Sequence, residues 1–429
     1  MRRLAFGSRD WRAYLSGLPR ASRPDASVER AVERVLRDVR RDGDAALVRY
    51  TRRYDGIDLS RSGIRVRAAE VRASARRADP ALVAALRAMA KRIEAFHRKQ
   101  RDRGFQMRLG DGSLLEEVVG PIDSAGLYVP GGAGAYPSSV LMTAIPARVA
   151  GVPRLVVATP PRALEANPAI AAALVVAKLE GQVFRVGGAQ AIAALAYGTP
   201  SLARVSKIVG PGNAYVAAAK RQVRGAVEID GDAGPTEVVI LADDSADPRL
   251  VACDLLAQAE HGSGDETVVL VTTERTLADA VAELVYAGLA KVANPVRARR
   301  AIDRYGACVL VKDLATGIRA VNALAPEHVE VMARGGAFWA KQVVAGAVFV
   351  GRYAPVAAGD YGVGPNHVLP TGGSARFRSP LSVRDFERRS SRVTLSERGL
   401  RRIAKHVERI ARAEGFPGHA LSVAARWAS

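Results

Sequence analysis

Cysteine is scarce in this chain: among its 429 residues only Cys253 and Cys308 occur. Two cysteines that lie this far apart do not form the pattern of a disulfide framework. They are also too few for a zinc site built from thiolates. Any metal that the protein holds must therefore take nitrogen and oxygen donors.

Long apolar stretches are also lacking. No run reaches the roughly eighteen apolar residues that a membrane-spanning helix needs. The N-terminus, Met1 to Phe6, carries charge, but no apolar stretch of signal-peptide length follows it. We therefore expect a cytoplasmic protein with no membrane partner.

Aromatic residues make up only 5% of the chain, whereas positive charge is in excess, with a net charge of +20. Such a charge raises the question of nucleic-acid binding. The arginines, however, are spread along predicted helices without a basic tail, and the few aromatics are not interleaved with them as stacking platforms. We expect an arginine-rich surface and no nucleic-acid partner, and we keep a nucleic-acid-binding scaffold as the competing class.

The apolar pattern changes near residue 121. The preceding residues read as helical, and after it short apolar runs alternate with helical stretches. The predicted strands are Gly126–Val129, Leu155–Thr159, Val183–Val186, Ile208–Val209, Val238–Leu241, Val268–Thr272, Cys308–Val311, Val329–Met332 and Val348–Val350. This alternation predicts mostly parallel sheets covered on both faces, in two α/β units. After Gly373 the chain becomes polar and then helical from Leu400 to Ala413, which predicts a small C-terminal tail.

Histidine is rare, yet four of the six histidines lie in short polar or glycine-flanked runs beside Gln, Glu or Asp. These four are His261, His328, His367 and His419. Imidazoles grouped with carboxylates and an amide are typical of metal ligation or of proton transfer near neutral pH. This clustering is the main reason to expect an enzyme. His97 ends an apolar helical stripe, and we expect it to be structural.

Gln258 and His261 lie three residues apart at the end of a predicted helix. That spacing places them on one face, where both can reach a single ion. Gly262 follows and ends the helix while leaving the site open. A histidine that only caps carbonyl groups is the alternative, and the local sequence leaves both interpretations open.

Glu327 and His328 follow a proline and precede a strand, and loop–strand junctions of α/β sheets are where ligands bind. A carboxylate next to an imidazole suits acid–base catalysis. Adjacent strand residues point to opposite faces, so both serve one site only if the backbone turns there. A solvated junction pair is the alternative.

Glycine-rich segments supply further candidates. The loop from Gly359 to His367 carries Asp360, an oxygen donor compatible with Zn²⁺, although an ordinary turn is the alternative. Three glycine turns, 130–134, 187–190 and 210–213, each follow a predicted strand and together indicate a phosphate-approaching rim. None completes a dinucleotide or P-loop fingerprint. Cys253 lacks a charged activator, so we expect a small buried residue rather than a nucleophile.

Several long motifs, in one order, resemble those of the histidinol dehydrogenase family nearly from end to end. They are Arg41-Asp42-Gly43-Asp44-Ala45-Ala46-Leu47, Tyr128-Val129-Pro130-Gly131-Gly132, Gly188-Ala189-Gln190-Ala191-Ile192-Ala193-Ala194-Leu195, Lys207-Ile208-Val209-Gly210-Pro211-Gly212-Asn213-Ala214-Tyr215-Val216, Ala233-Gly234-Pro235-Thr236-Glu237-Val238 and the four histidine runs.

The resemblance implies an NAD-dependent homodimer, with one Zn²⁺ per subunit, that oxidises L-histidinol through L-histidinaldehyde to L-histidine in the last steps of histidine biosynthesis. It implies an α/β fold of two incomplete Rossmann-like domains with a helical N-terminal region and a small C-terminal helical tail. The resemblance implies four regions. Residues 1–120 form a helical region that packs on the first α/β domain, and residues 121–235 form the second Rossmann-like domain, on the NAD side. Residues 236–372 form the first Rossmann-like domain, which carries the zinc and catalytic residues, and residues 373–429 form the dimerisation tail.

The resemblance also implies roles for individual residues. The catalytic acid–base pair is Glu327 and His328, with His328 as the base for the hydroxyl proton and Glu327 activating the water that hydrates the aldehyde. The implied zinc ligands are Gln258, His261, Asp360 and His419, the last from the partner subunit's tail. The implied substrate contacts are Thr236, Gln258, His261, His328, Asp360, Glu414 and His419, and the NAD contacts are Tyr128, Gln190 and Asn213.

Departures from the family pattern are few. Thr236 stands where serine is frequent and keeps the hydroxyl, and a run from Arg376 to Val383 replaces a more flexible stretch. The alternative function is that of a paralogous NAD-dependent dehydrogenase of another small polar alcohol, such as a sulfonated diol.

Overall fold

The computed structural model describes residues 1–19, 25–131, 136–231 and 234–427. The glycine turn predicted at 130–134 falls partly outside these ranges, at Gly132, Ala133 and Gly134. The chain divides into two compact units, the first formed by residues 1–100 and 122–386 and the second by residues 101–121 and 387–429.

Strands and helices alternate through most of the described chain. Strands β1 to β14 are Arg2–Ala5, Phe105–Arg108, Leu114–Pro121, Ser124–Tyr128, Arg154–Thr159, Val183–Arg185, Lys207–Val209, Glu228–Ile229, Glu237–Ala242, Thr267–Thr272, Ala307–Leu310, His328–Met332, Ala347–Val350 and Glu387–Thr394. Helices α1 to α19 are Arg9–Gly17, Ala26–Asp42, Asp44–Asp55, Leu59–Ser62, Ala68–Ala75, Pro80–Arg98, Pro137–Ala150, Pro161–Ala166, Pro168–Val176, Gly188–Tyr197, Ala214–Val223, Pro248–Ala259, Arg275–Gly288, Pro295–Tyr305, Leu314–Leu324, Gly336–Ala340, Val356–Tyr361, Glu397–Ala413 and Pro417–Ala424. Short 3₁₀ turns lie at Leu289–Lys291, Ser374–Arg376 and Val383–Phe386.

The first unit contains a five-stranded parallel sheet in the order β6-β5-β4-β7-β8. Its central strand β4 is buried along its whole length, as expected for a parallel strand that is covered on both faces. One apolar cluster on this sheet includes residues of α6, α7 and α9, and a second includes residues of α2, α10 and α11.

The first unit also contains a six-stranded parallel sheet in the order β1-β11-β10-β9-β12-β13. In its centre β9 pairs with β12, and Val238 lies opposite His328. Residues of α12, α13 and α14 belong to the apolar cluster on one face, and residues of α1 and α15 to the cluster on the other. The register brings the beginnings of β9 and β12 side by side, which positions the candidate site.

The second unit is a three-stranded antiparallel sheet in the order β14-β3-β2, followed by α18 and α19. Arg389 on β14 forms ion pairs with Asp102 at 2.7 Å and Glu117 at 2.8 Å. Helix α18 begins at a Ser396 cap that accepts a hydrogen bond from the Gly399 amide at 2.9 Å.

The predicted fold class is confirmed: an α/β protein with two mostly parallel sheets, a helix-rich N-terminal region and a helical C-terminal end. Each of the nine predicted strands overlaps a strand of the structure. The prediction missed β1, β2, β3, β8 and β14. The finer division at residues 120, 235 and 372 stays a prediction. None of the helices in the described ranges is long and apolar enough to cross a membrane.

Candidate active site

A pocket of about 260 Å³ in the first unit is lined by residues that adjoin both parallel sheets. Gly210 and Pro211, which follow β7, line it from the carboxyl end of the five-stranded sheet. Thr236 and His328 line it from the amino ends of β9 and β12 in the other sheet. The remaining site residues in its wall are His261, Glu327, Asp360 and His367. The pocket therefore combines residues that lie far apart in sequence, from Tyr136 to Ser379.

The backbone turns immediately before Glu327 and His328, the predicted acid–base pair. Ala325, with a left-handed φ of 47°, ends helix α15, and Pro326 follows it. A left-handed conformation at alanine costs about 1 kcal/mol and persists only where the surrounding structure fixes it. Because the strand begins only at His328, Glu327 is still outside it, and both side chains line the same pocket.

Glu327 is buried and well supplied with donors. One carboxylate oxygen accepts hydrogen bonds from the Thr236 hydroxyl and from the Glu237 amide, the latter at 3.1 Å. Burial raises the pKa of Glu327 from 4.5 to about 7, and the two hydrogen bonds oppose that rise. A carboxyl group with a pKa near 7 can both accept and return a proton at neutral pH.

His328 is held as a neutral imidazole. Its Nδ1 lies 3.0 Å from the Glu237 carbonyl oxygen, an acceptor, so Nδ1 carries the proton. The other nitrogen, Nε2, lies 3.7 Å from Oδ1 of Asp360. Burial lowers the pKa of His328, although Asp360 opposes this effect. Nε2 is therefore the free basic atom of the ring.

Glu237 orders both catalytic candidates, a role that the sequence did not reveal. Its carboxylate accepts a hydrogen bond from the Glu327 amide at 3.2 Å, while its own amide donates to the Glu327 carboxylate at 3.1 Å. The Glu237 carboxylate also accepts from the Gly372 amide at 3.2 Å. Because the Glu237 carbonyl binds His328 as well, this single strand residue fixes the geometry of the pair.

Gln258 lies in the last turn of α12, and His261 follows just after the helix ends at Ala259. The amide nitrogen of Gln258 donates to the Thr236 hydroxyl, which leaves the amide oxygen available as a ligand. Nδ1 of His261 lies 3.2 Å from the Gln258 carbonyl oxygen, an arrangement that directs Nε2 away from the helix end. Asp360, in the last turn of α17, interacts electrostatically with His261 and His328, and burial raises its pKa.

Metal-ligand chemistry fits these residues in part. In the part of the chain that the structure describes, no group of three or more His, Cys, Asp or Glu side chains is placed to hold an ion. The predicted ligands of this chain are the imidazole of His261, the carboxylate of Asp360 and the amide oxygen of Gln258. This nitrogen and oxygen set suits Zn²⁺ and leaves a fourth position for another ligand.

Glu414 and His419 belong to the second unit and are not among the residues that line the pocket. Glu414 caps the end of α18, and His419 lies in α19 with its ring stacked on Phe416 at 5.2 Å. Both side chains are exposed.

The predicted NAD residues lie at the carboxyl end of the five-stranded sheet, outside the lining of the pocket. The buried Tyr128 hydroxyl accepts a hydrogen bond from the Gly188 amide at 3.1 Å, and Gln190 is buried in the first turn of α10. Asn213 caps α11 by accepting from the Tyr215 and Val216 amides, both at 3.1 Å.

Three further groups in the pocket wall lacked a predicted role. His367 places Nδ1 2.7 Å from the Asp360 carbonyl oxygen, and burial lowers its pKa to about 4, so it is neutral. Lys220 forms a buried ion pair with Asp230 and also donates to the Gly210 carbonyl at 3.0 Å. His367 lay in a loop that the sequence singled out, but the ion pair carried no local signal.

Cys253 corrects one expectation. The sequence predicted a small buried residue, but Cys253 is exposed on α12, whereas Cys308 is buried. The Cys253 side chain points away from the apolar face of α12, because Ala252 and Leu255 occupy that face. His97, which we expected to be structural, is buried, and its Nδ1 lies 2.7 Å from Oε1 of Gln100.

Two parallel sheets covered by helices, with a buried carboxyl–imidazole pocket lined by residues of both, define a Rossmann-like α/β protein. The sequence model of the family described as histidinol dehydrogenase matches residues 18–427. The chain therefore belongs to the histidinol dehydrogenase family, which makes it an oxidoreductase.

Similar proteins cover nearly the whole chain. The histidinol dehydrogenase of Gluconobacter oxydans (strain 621H) is 47% identical, over 94% of this chain and 93% of its own length. The histidinol dehydrogenase of Syntrophotalea carbinolica is 44% identical, over 99% of this chain and 99% of its own length. The crystal structure of histidinol dehydrogenase from Elizabethkingia anophelis matches with a TM-score of 0.93 and 31% identity, over 99% of this chain and 98% of that one.

Proposed function

We propose that this protein oxidises L-histidinol through L-histidinaldehyde to L-histidine, the last steps of histidine biosynthesis, in the cytoplasm. It uses NAD as hydride acceptor twice and contains one Zn²⁺ per subunit. The observation that carries the proposal is the pocket in which Glu327, with a pKa near 7, and a neutral His328 lie side by side. Two different proton acceptors suit a reaction that removes two hydrides and adds one water.

His328 acts as the base in the oxidation of the alcohol. A hydroxyl group must lose its proton as hydride leaves the carbon, and a positioned imidazole contributes about 10²- to 10⁴-fold to such a step. Nε2 is free to accept this proton because Nδ1–H is engaged by the Glu237 carbonyl. The same hydrogen bond stabilises the imidazolium that results.

Glu327 activates water in the second half of the reaction. The aldehyde must first be hydrated. In the hydrate, the carbon that bears the transferable hydrogen again carries a hydroxyl group. Loss of the hydroxyl proton can then accompany loss of hydride, as in the first oxidation. A carboxylate beside the Thr236 hydroxyl is placed to remove a proton from that water. At neutral pH a pKa near 7 leaves about half of the Glu327 carboxyls ionised and ready to act.

Zinc would supply an electrophilic centre that orients the imidazole and amine of the substrate. Gln258, His261 and Asp360 would hold it, with His419 of the partner subunit as the fourth ligand. These three ligands of the chain itself leave the fourth position of a tetrahedral zinc site for a ligand from a second copy. Glu414, from the same tail, would pair with the substrate's ammonium group. The protein would therefore act as a homodimer.

NAD would bind at the carboxyl ends of the five-stranded sheet, where ligands of open parallel sheets are found. Tyr128, Gln190 and Asn213 all lie at this edge. The turn at Gly210 connects that edge to the pocket, because Gly210 lies against Tyr128 and also lines the pocket. This continuity would let the nicotinamide approach the carbon that loses hydride.

The experiment that tests the proposal combines metal analysis with NADH production from histidinol, before and after chelation. We expect about one zinc per chain, histidinol-dependent reduction of NAD, and loss of both on chelation, with recovery when zinc is returned. A sulfonated diol serves as the competing substrate. A protein that oxidises the diol and leaves histidinol untouched is a paralogous dehydrogenase.

A further inference from the structure

The proposed reaction does not use a pair of carboxyl groups, Glu330 and Asp254, that lies on two of the elements carrying site residues. Glu330 is on β12 two residues after His328, on the same face of the strand. Asp254 is on α12 four residues before Gln258, on the same side of the helix. Glu330 is only 1% exposed, and Asp254 is partly buried.

Only one of the two carboxyl oxygens of Glu330 accepts a hydrogen bond in the part of the chain that the structure describes. Its Oε1 accepts from the Val356 amide at 2.8 Å. Its Oε2 is buried, and among the described residues no donor reaches it. The group that Glu330 faces is the Asp254 carboxyl. Since an ionised carboxylate only accepts, these two groups can bond to each other only when one of them is protonated.

Among the residues that the structure describes, no cation acts on this pair. The groups that act on Glu330 are the surrounding apolar residues, Asp254 and the Val356 amide, and only burial and Glu330 act on Asp254. Burial, followed by repulsion from Asp254, raises the pKa of Glu330 to about 8, and burial raises the pKa of Asp254. Burial without a compensating cation therefore favours the neutral form, so the pair retains one proton at neutral pH.

The pair connects three elements that carry site residues. Asp254 belongs to α12, which presents Gln258, and Glu330 belongs to β12, which begins with His328. Val356 is the first residue of α17, the helix that ends with Asp360 and Tyr361. The Val356 amide already bonds Glu330, so a hydrogen bond between Glu330 and Asp254 would connect α12, β12 and α17.

We propose that Asp254 and Glu330 share one proton and that this hydrogen bond is a positioning device that holds α12, β12 and α17 in register for the reaction. Neither residue touches substrate. Small displacements of reacting groups lower rates strongly, so loss of the bond slows turnover even where the fold survives. This kinetic consequence rests on the proposed function, whereas the shared proton does not.

Infrared spectroscopy tests the shared proton directly. Wild-type protein at pH 7 should show a protonated-carboxyl stretch that Glu330→Gln lacks and that titrates away with a midpoint near 8. Glu327 contributes a similar band, so the comparison is made in a Glu327→Gln background. Absence of any band difference between the two proteins at pH 7 overturns the proposal, whether or not the protein oxidises histidinol.

Kinetics of matched variants test the positioning role. Glu330→Gln replaces the proton donor with an amide that still accepts from Val356 and donates to Asp254, so it should keep kcat. Glu330→Met keeps the volume but makes neither bond, and it should lose at least about tenfold in kcat with an unchanged KM for NAD. Wild-type kcat in a folded Glu330→Met protein contradicts the proposal. If that variant does not fold, Asp254→Leu, which cannot accept the Glu330 proton, takes its place and should lose kcat to a similar extent, whereas wild-type kcat in folded Asp254→Leu contradicts the proposal.

Discussion

In its ionised form, the buried carboxyl group of Glu327 should lower the free energy of unfolding. Its pKa is raised from 4.5 to about 7 by burial, and each unit of pKa corresponds to about 1.4 kcal/mol. The ionised carboxylate therefore costs the fold about 3 kcal/mol. Glu327→Gln removes the charge and keeps an oxygen that accepts from Thr236 and the Glu237 amide.

The direction of the pH effect follows from proton binding. The folded protein holds the Glu327 proton more tightly than the unfolded chain, so this group stabilises the fold fully below pH 4.5. That contribution is lost as pH rises towards about 7. The glutamine variant has no such loss. Its free energy of unfolding relative to wild type should increase by about 2 to 3 kcal/mol between pH 5 and pH 8.

Urea denaturation of the metal-free proteins at both pH values measures this difference without interference from zinc binding. Activity should move in the opposite direction, because the variant cannot activate water, and oxidation of the aldehyde should fall by about 10²- to 10⁴-fold. A stability difference that is the same at pH 5 and pH 8 would refute the argument that burial of the Glu327 charge sets its pKa.

Three other changes test separate parts of the account. His328→Asn should lower kcat by about 10²- to 10⁴-fold and leave the zinc content unchanged; equal rates would exclude His328 as the base. Gly210→Ala would place a methyl group 2.1 Å from the Tyr128 carbonyl at a φ of +117°, and it should weaken NAD binding in titrations. Gly225→Ala, with a φ of +101° and open space, is the control that carries backbone strain alone. Co-expressed His328→Asn and His419→Gln chains should regain activity in mixed dimers, since one site then has both intact residues; no recovery would contradict a site shared between subunits.

The sequence predicted the buried strands well because parallel strands that are covered on both faces are short, continuous apolar runs. It missed β14, Glu387–Thr394, whose residues are mostly polar and exposed and which is defined by pairing with β3. It also missed β1, only four residues long, which joins the edge of a sheet built from residues more than 230 positions later.

Prediction of the site depended on motifs, and motifs name residues without their contacts. Glu327 and His328 stood out, and the structure brings them into one pocket. The supporting role of Glu237 arises from strand register and backbone hydrogen bonds, which no local pattern reveals. The Asp254–Glu330 pair is invisible in sequence for the same reason, since a helix and a strand 76 positions apart must first pack together.

The central claim is that one pocket, built on Glu327 and His328, carries out two successive oxidations of histidinol. The most direct measurement is the stoichiometry of a reaction in which zinc-loaded protein consumes a limiting amount of histidinol with NAD in excess. We expect two NADH and one histidine for each histidinol consumed. One NADH per histidinol with aldehyde accumulating, or no NADH at all, would contradict the account.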